Sequence, residues 1–197
     1  MAPRERAVFV DRDGVINELV VDRTSGLCES PLAVEDVRLI AGAADALRRL
    51  SQAGWRLIGV SNQPAAAKGT VAACAIDAVQ ERVMALCSQA GVRFDDFRLC
   101  LHHPHGVVAE LTGECDCRKP APGMLLSAAE ALSVNLPASW MVGDTDADVM
   151  AGRVAGCRTI LVAQPGSVHK RSGTPVPDAA ACDLPAAARL ILSAPKE

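Results

Sequence analysis

The chain of 197 residues is long enough to bury a core and fits one domain, 1–197, of ordinary size. Half of it is apolar, the formal net charge is −3 and the pI is about 5.8, so no general attraction to nucleic acid or to an anionic membrane is expected. With no Tyr and only three Phe, stacking on single-stranded bases is excluded too, and any anion must be held by a local cluster.

The amino-terminal Met1-Ala-Pro-Arg-Glu-Arg6 is charged, and Asp11 interrupts the apolar residues after it before they reach signal length. No apolar run reaches the ~18 residues of a membrane span, so a cytoplasmic location is expected. Residues 7–10 read as a strand. Residues 17–41 read as an irregular flap, because they hold Ser30-Pro31 and no sustained periodicity. A helix over 43–53, a strand over 56–60 and a helix over 71–90 follow, with Gly54 and Gly91 where helix-ending glycines belong. A strand near 97–101 leads into a loop over 100–117. Beyond it come a helix at 124–132, a strand at 140–142, a helix at 147–155 closed by Gly156, and a strand at 159–162. Residues 166–183 read as a surface wrap, and 185–192 as a last helix. This alternation predicts an α/β fold: a three-layer, Rossmann-like, mostly parallel sheet with helices on both faces.

In such a sheet, ligands bind at the carboxyl ends of the strands. Those ends carry Asp11-Arg12-Asp13-Gly14, Ser61-Asn62-Gln63 and Gly143-Asp144-Thr145-Asp146-Ala147-Asp148. Five carboxylates and one hydroxyl are thus expected on one edge, and crowded carboxylates call for a cation. An oxygen-rich site with an incomplete shell suits Mg²⁺ together with a substrate phosphate. Asp11 is the best-placed nucleophile for in-line attack on a phosphate ester, and Asp13 can protonate the leaving alcohol and then activate water. Ser61, with backbone N–H groups at a helix start, is expected to hold phosphoryl oxygens, and Lys119 to neutralise the nucleophile and the transferring group.

Cys100-Leu-His102 and Cys115-Asp-Cys117, the latter running into Arg118-Lys119-Pro120, supply four soft ligands for a tetrahedral Zn²⁺ with no position left for water. By spacing alone His103 and His105 compete with His102. The other cysteines, Cys28, Cys74, Cys87, Cys157 and Cys182, read as buried free thiols of a reducing compartment.

Val10-Asp11-Arg12-Asp13-Gly14-Val15, Val60-Ser61-Asn62-Gln63, Arg118-Lys119-Pro120 and Gly143-Asp144 through Asp148, in that order over nearly the whole chain, resemble the haloacid dehalogenase (HAD) superfamily of phosphatases. Each piece alone is an ordinary turn or cap; their joint order is not. The resemblance implies Mg²⁺ held by the Asp11 side chain, the Asp13 backbone carbonyl and Asp144, with Asp148 behind them. The Cys/His loop narrows it to the zinc-loop group that holds heptose bisphosphate and histidinol phosphate phosphatases, and selects His102 as the fourth zinc ligand. By the same resemblance Arg118 and Lys119 contact substrate, and Asn62 and Gln63 help line the site.

Twelve residues, 103–114, lie inside the loop. That length resembles the heptose group and implies removal of the C7 phosphate of D-glycero-D-manno-heptose 1,7-bisphosphate through an aspartyl-phosphate. Histidinol phosphate or another small sugar or polyol phosphate is the alternative. Thr145 stands where relatives often carry a cation, and Lys68 where an arginine is more usual. The flap is longer than the family's, and Arg23 within it is a candidate for the missing charge. A monomer acting on a small sugar phosphate, with no nucleic-acid or membrane partner, is expected.

Overall fold

The structure, a computed structural model, describes residues 5–194; Met1 to Arg4 of the charged amino terminus lie outside the described residues. The chain opens with β1 (Ala7–Val10), then a small hairpin of β2 (Val20–Val21) and β3 (Cys28–Glu29), then α1 (Ala43–Gln52). It continues through β4 (Arg56–Asn62), α2 (Ala73–Gln89), β5 (Asp96–Cys100), α3 (Gly123–Ala131) and β6 (Trp140–Gly143). α4 (Asp146–Ala155), β7 (Arg158–Val162), β8 (Ala179–Ala181) and α5 (Leu184–Ser193) complete it. Among the described residues six strands form one sheet in the order β5-β4-β1-β6-β7-β8, and all of its pairings are parallel.

A parallel strand covered on both faces must be apolar at every position, and β1 is buried throughout. Its alternation divides the interior in two. Val8 and Val10 join a core with Leu47 and Leu50 of α1, Val79 and Val83 of α2 and Ile191 of α5. Ala7 and Phe9 point the other way, into a core with Leu125 and Ala128 of α3 and Ala151 of α4. Burying Phe9 alone is worth about 1.5–3 kcal/mol. α1 meets its core with Ala43, Ala46, Leu47 and Leu50, a single face at helical spacing. Among the described residues no helix is long and apolar enough to cross a membrane.

Three expectations are corrected. The stretch 166–183 does not merely wrap the surface, since it contains β8, which pairs with β7 from Ile160↔Ala179 to Val162↔Ala181. A strand of three alanines carries almost no β signal of its own and is set by the edge it joins. The flap is also not wholly irregular, because Val20↔Glu29 and Val21↔Cys28 pair as an antiparallel hairpin. Of the five cysteines read as buried, only Cys87 and Cys157 are; Cys74 and Cys182 are exposed and Cys28 is intermediate.

The sheet register places the site. Val10 of β1 pairs with Gly59 of β4 on one side and Val142 of β6 on the other, so Asp11, Ser61 and Asp144 emerge at one edge. The Asp11 amide donates to Val142 O at 2.9 Å, which holds the pairing one residue past the strand.

Candidate active site

Asp11, Asp13, Ser61, Asn62, Lys119, Asp144 and Asp148 line a cavity of about 420 Å³, together with Arg118 and Lys68 from flanking loops. The turn after β1 needs a glycine for two reasons. Gly14 has φ +84°, and a Cβ there would collide with the Asp144 carboxylate. Gly143 is similarly required, since a Cβ would run into the Asp148 side chain.

Lys119 organises the floor. It is buried, and its ammonium stands 2.7 Å from Asp11 Oδ1, 2.6 Å from Asp148 Oδ1 and 2.8 Å from Val60 O. Three oxygens thus enclose one ammonium, Asp11 Oδ1 and Val60 O as hydrogen-bond acceptors and Asp148 Oδ1 as an ion-pair partner. Burial acts to lower its pKa, but the charges of Asp11 and Asp148 outweigh that and raise it, so it stays a cation. Its backbone is clamped by Asn62, whose Nδ2 donates to Lys119 O at 2.9 Å and whose Oδ1 accepts from Lys119 N at 3.0 Å.

Asp13 is held differently. Arg12 is fully buried, and its Nε and Nη2 donate to the two Asp13 oxygens at 3.1 Å each, while Nη1 donates to Gln80 of α2. Asn17 Nδ2 and Gln63 Nε2 donate to the same carboxylate at 2.9 and 2.6 Å. Burial raises the Asp13 pKa, but the Arg12 charge and these hydrogen bonds outweigh it and leave it below the usual value.

Asp11 and Asp144 show the opposite balance. Burial pushes Asp11 up to about 6, with Lys119 only partly opposing it. Burial, then the charges of Asp11 and Asp148, push Asp144 up to about 8. Asp11, Asp144 and Asp148 offer carboxylate oxygens within 4.8 Å of one another. Asp148 Oδ2 accepts from the backbone N and hydroxyl of Thr145, while its Oδ1 makes the ion pair with Lys119 and has no hydrogen-bond partner. Asp144 has Oδ2 bonded to the Ser167 hydroxyl, while its Oδ1 is buried with no hydrogen-bond partner. A buried, unpartnered oxygen among mutually repelling carboxylates fits a hard divalent cation.

The second metal group also assembles. Cys100, His102, Cys115 and Cys117 bring their ligand atoms within 4.8 Å, with Cys117 Sγ 3.4 Å from His102 Nδ1. This donor set suits Zn²⁺. Among the described residues His103 and His105 are not part of it; His103 Nδ1 accepts from the His105 backbone at 3.1 Å instead. The two sites share backbone: Cys100 O accepts from Gln63 N at 2.7 Å, and Lys119 follows Cys117 by two residues.

Several expected residues sit elsewhere. Gln63 does not face the cavity; it is buried beneath Asp13 and also donates to Ser61 Oγ at 2.9 Å. Asp146 turns out of the acidic group and accepts from the Ser172 hydroxyl at 2.6 Å, so four of the five expected carboxylates, Asp11, Asp13, Asp144 and Asp148, reach the cavity. Ser61 is not at a helix start, since it lies within β4 and α2 begins at Ala73. The Thr145 hydroxyl donates to Asp148 at the first turn of α4, and Arg23 is exposed and does not line the cavity. Sequence reasoning missed Arg12, Asn17, Gln80, Ser167 and Lys170. The last two lie on a 3-10 segment, Pro165–Lys170, and both reach the cavity wall.

A family model described as HAD-hydrolase-like matches residues 116–186. D-glycero-beta-D-manno-heptose-1,7-bisphosphate 7-phosphatase of Escherichia coli (strain K12) is 37% identical over 166 residues, covering 84% of this chain and 83% of that protein. The protein of the same name from Vibrio cholerae is 36% identical over 174 residues, covering 85% and 86%. Among solved structures, D,D-heptose 1,7-bisphosphate phosphatase from B. bronchiseptica, complexed with magnesium and phosphate, matches with a TM-score of 0.79 at 28% identity, over 95% of this chain and 98% of that one.

Proposed function

The chain belongs to the D-glycero-beta-D-manno-heptose-1,7-bisphosphate 7-phosphatase family of HAD-like hydrolases, and on that premise we propose that it hydrolyses the C7 phosphate of this heptose bisphosphate and leaves the C1 phosphate in place. The observation that carries the reading is Asp11, at the tip of the central strand, facing the cavity with one oxygen tied to Lys119. Asp11, Asp144 and the Asp13 backbone carbonyl would hold Mg²⁺, whose charge offsets that of the phosphoryl oxygens.

In this mechanism an Asp11 oxygen attacks phosphorus in line as the bond from phosphorus to the C7 oxygen breaks, giving an aspartyl-phosphate. Asp13 delivers the proton to the departing oxygen. Arg12 keeps Asp13 ionised in the resting site, and the negative charge of an entering phosphate moves it back towards protonation. Asp13 then takes a proton from the water that attacks the aspartyl-phosphate, releasing inorganic phosphate and restoring Asp11. Ser61 and Arg118, which line the cavity, would bind phosphate oxygens, while Lys119 balances charge beside Asp11. The Cys100, His102, Cys115, Cys117 group would hold a structural Zn²⁺ that fixes Arg118 and Lys119. Every residue in the scheme comes from one chain, so a monomer acting on a small cytoplasmic sugar phosphate suffices.

Rates in metal-defined buffer with the alpha and beta heptose 1,7-bisphosphates, histidinol phosphate and simple sugar phosphates test the reading. We expect a kcat/KM for one heptose bisphosphate about 100-fold or more above that for histidinol phosphate. Comparable rates on all of them would overturn the assigned specificity. Full turnover by Asp11→Asn would overturn the covalent mechanism.

A further inference from the structure

Lys170 and Glu29 face each other across one wall of the cavity, and neither is required by the scheme above. Glu29 belongs to β3 of the flap and Lys170 ends the 3-10 segment after β7; Lys170 Nζ lies 2.6 Å from Glu29 Oε2. We propose that this ion pair is an exchangeable latch: Lys170 leaves Glu29 to take the second, non-reacting phosphate of a bisphosphorylated sugar. The proposal rests on the sugar-phosphate reading of the same site.

Four observations support the exchange. The two side chains are 32% and 45% exposed, and ion pairs this open to water contribute little, so breaking one costs little. A phosphate dianion offers an ammonium more charge and more acceptor oxygens than a carboxylate does. The cations on the floor are already committed, Lys119 to Asp11 and Asp148 and Arg12 to Asp13, so a second phosphate must look to the walls. Finally, His169 Nε2 stands 3.7 Å from Glu29 Oε1, which leaves the flap carboxylate a neighbour when Lys170 departs.

Lys68 and Arg118 also reach the cavity, but Arg118 Nη1 donates to His102 O at 3.3 Å in the zinc loop. Lys170 differs in its connections. Its segment also carries Ser167, which bonds the Asp144 carboxylate, so the cation stands at a fixed offset from the reacting centre. A paired Glu29 lets an anion in; an unpaired one beside an empty Lys170 position would repel it. The latch therefore distinguishes a bisphosphate from a monophosphate and couples that choice to the flap.

The test compares heptose 1,7-bisphosphate with heptose 7-phosphate for the wild type, Lys170→Met, Lys170→Arg and Glu29→Gln. For Lys170→Met the ratio of kcat/KM, bisphosphate over monophosphate, should fall about tenfold or more, through KM. Lys170→Arg should restore most of the ratio, and Glu29→Gln should lower KM for the bisphosphate. An unchanged ratio, or an equal loss on both substrates, would overturn the latch. If the wild type ignores heptose phosphates, the functional reading fails instead. The same ratio is then measured on fructose 1,6-bisphosphate against fructose 6-phosphate, where a fall in Lys170→Met still supports the latch and no change still overturns it. Thermal melts of each variant separate a binding effect from loss of folded protein.

Discussion

Replacing Asp144 by Asn should make the Mg²⁺-free protein more stable and the enzyme inactive. Asp144 is buried, with one oxygen lacking any partner, and its carboxyl is pushed up to about 8 by burial and then by the charges of Asp11 and Asp148. The unfolded chain would release this proton near the ordinary carboxyl value of 3.8. Between those values the folded state binds more protons than the unfolded one, so stability is fully present below about pH 4 and falls as pH rises towards 8. At pH 7 the span is roughly three units, which corresponds to about 4 kcal/mol at 1.36 kcal/mol per unit. Asp11, raised to about 6, slopes the same way, and because the Asp11 charge is itself one cause of the Asp144 shift the two together give less than their sum.

The assay is thermal unfolding from pH 4 to 8 in Mg²⁺-free buffer without chelator, read as the difference between the two proteins so that loss of a cysteine-bound metal in acid, common to both, cancels. At pH 7 the Asp144→Asn protein should melt above the wild type by on the order of 10 °C, and the gap should close towards pH 4. Millimolar Mg²⁺ should raise the wild type and leave the variant nearly unmoved. Two curves that stay parallel across the range would refute the reasoning.

Two further substitutions probe the supports of Lys119. Asn62→Ala removes both hydrogen bonds that clamp the Lys119 backbone, at about 0.5–1.5 kcal/mol each, and should lower kcat by about 10-fold or more with a smaller change in KM; unaltered steady-state constants would dismiss the clamp. Cys115→Ser should lose bound zinc, measured by metal analysis, and lose turnover with it, because the loop that carries Arg118 and Lys119 is released. A normal rate in zinc-free protein would show the staple to be dispensable.

The acidic tips were legible because a parallel α/β sheet sends the loop after every strand to the same edge, wherever those loops lie in the chain. Helical phase was harder to read. Asp146 and Asp148 look alike in the string, yet as neighbours in the first turn of α4 they point apart, one to Ser172 and one to Lys119. Strand alternation was the missed signal at Ser61-Asn62-Gln63. Ser61 and Gln63 share a side, where Gln63 reaches Asp13, while Asn62 turns to the other side and holds Lys119. Lys170 carried no local signal at all. Its partner Glu29 is 141 residues away, and the intervening pairing depends on a two-residue hairpin that no periodicity announces.

Lys119 is a buried cation enclosed by three protein oxygens. A side chain so enclosed has its charge committed to protein oxygens, and it serves an incoming ligand chiefly by its potential. Potential alone does not distinguish one anion from another, so selectivity for the substrate cannot originate at the most strongly charged point of the cavity. On the proposed reading it passes to groups on the cavity walls, Arg118 and Lys170 among them, whose positions can change without disturbing the charge that serves the nucleophile. On that reading the part of the site that does chemistry is separate from the part that chooses a sugar.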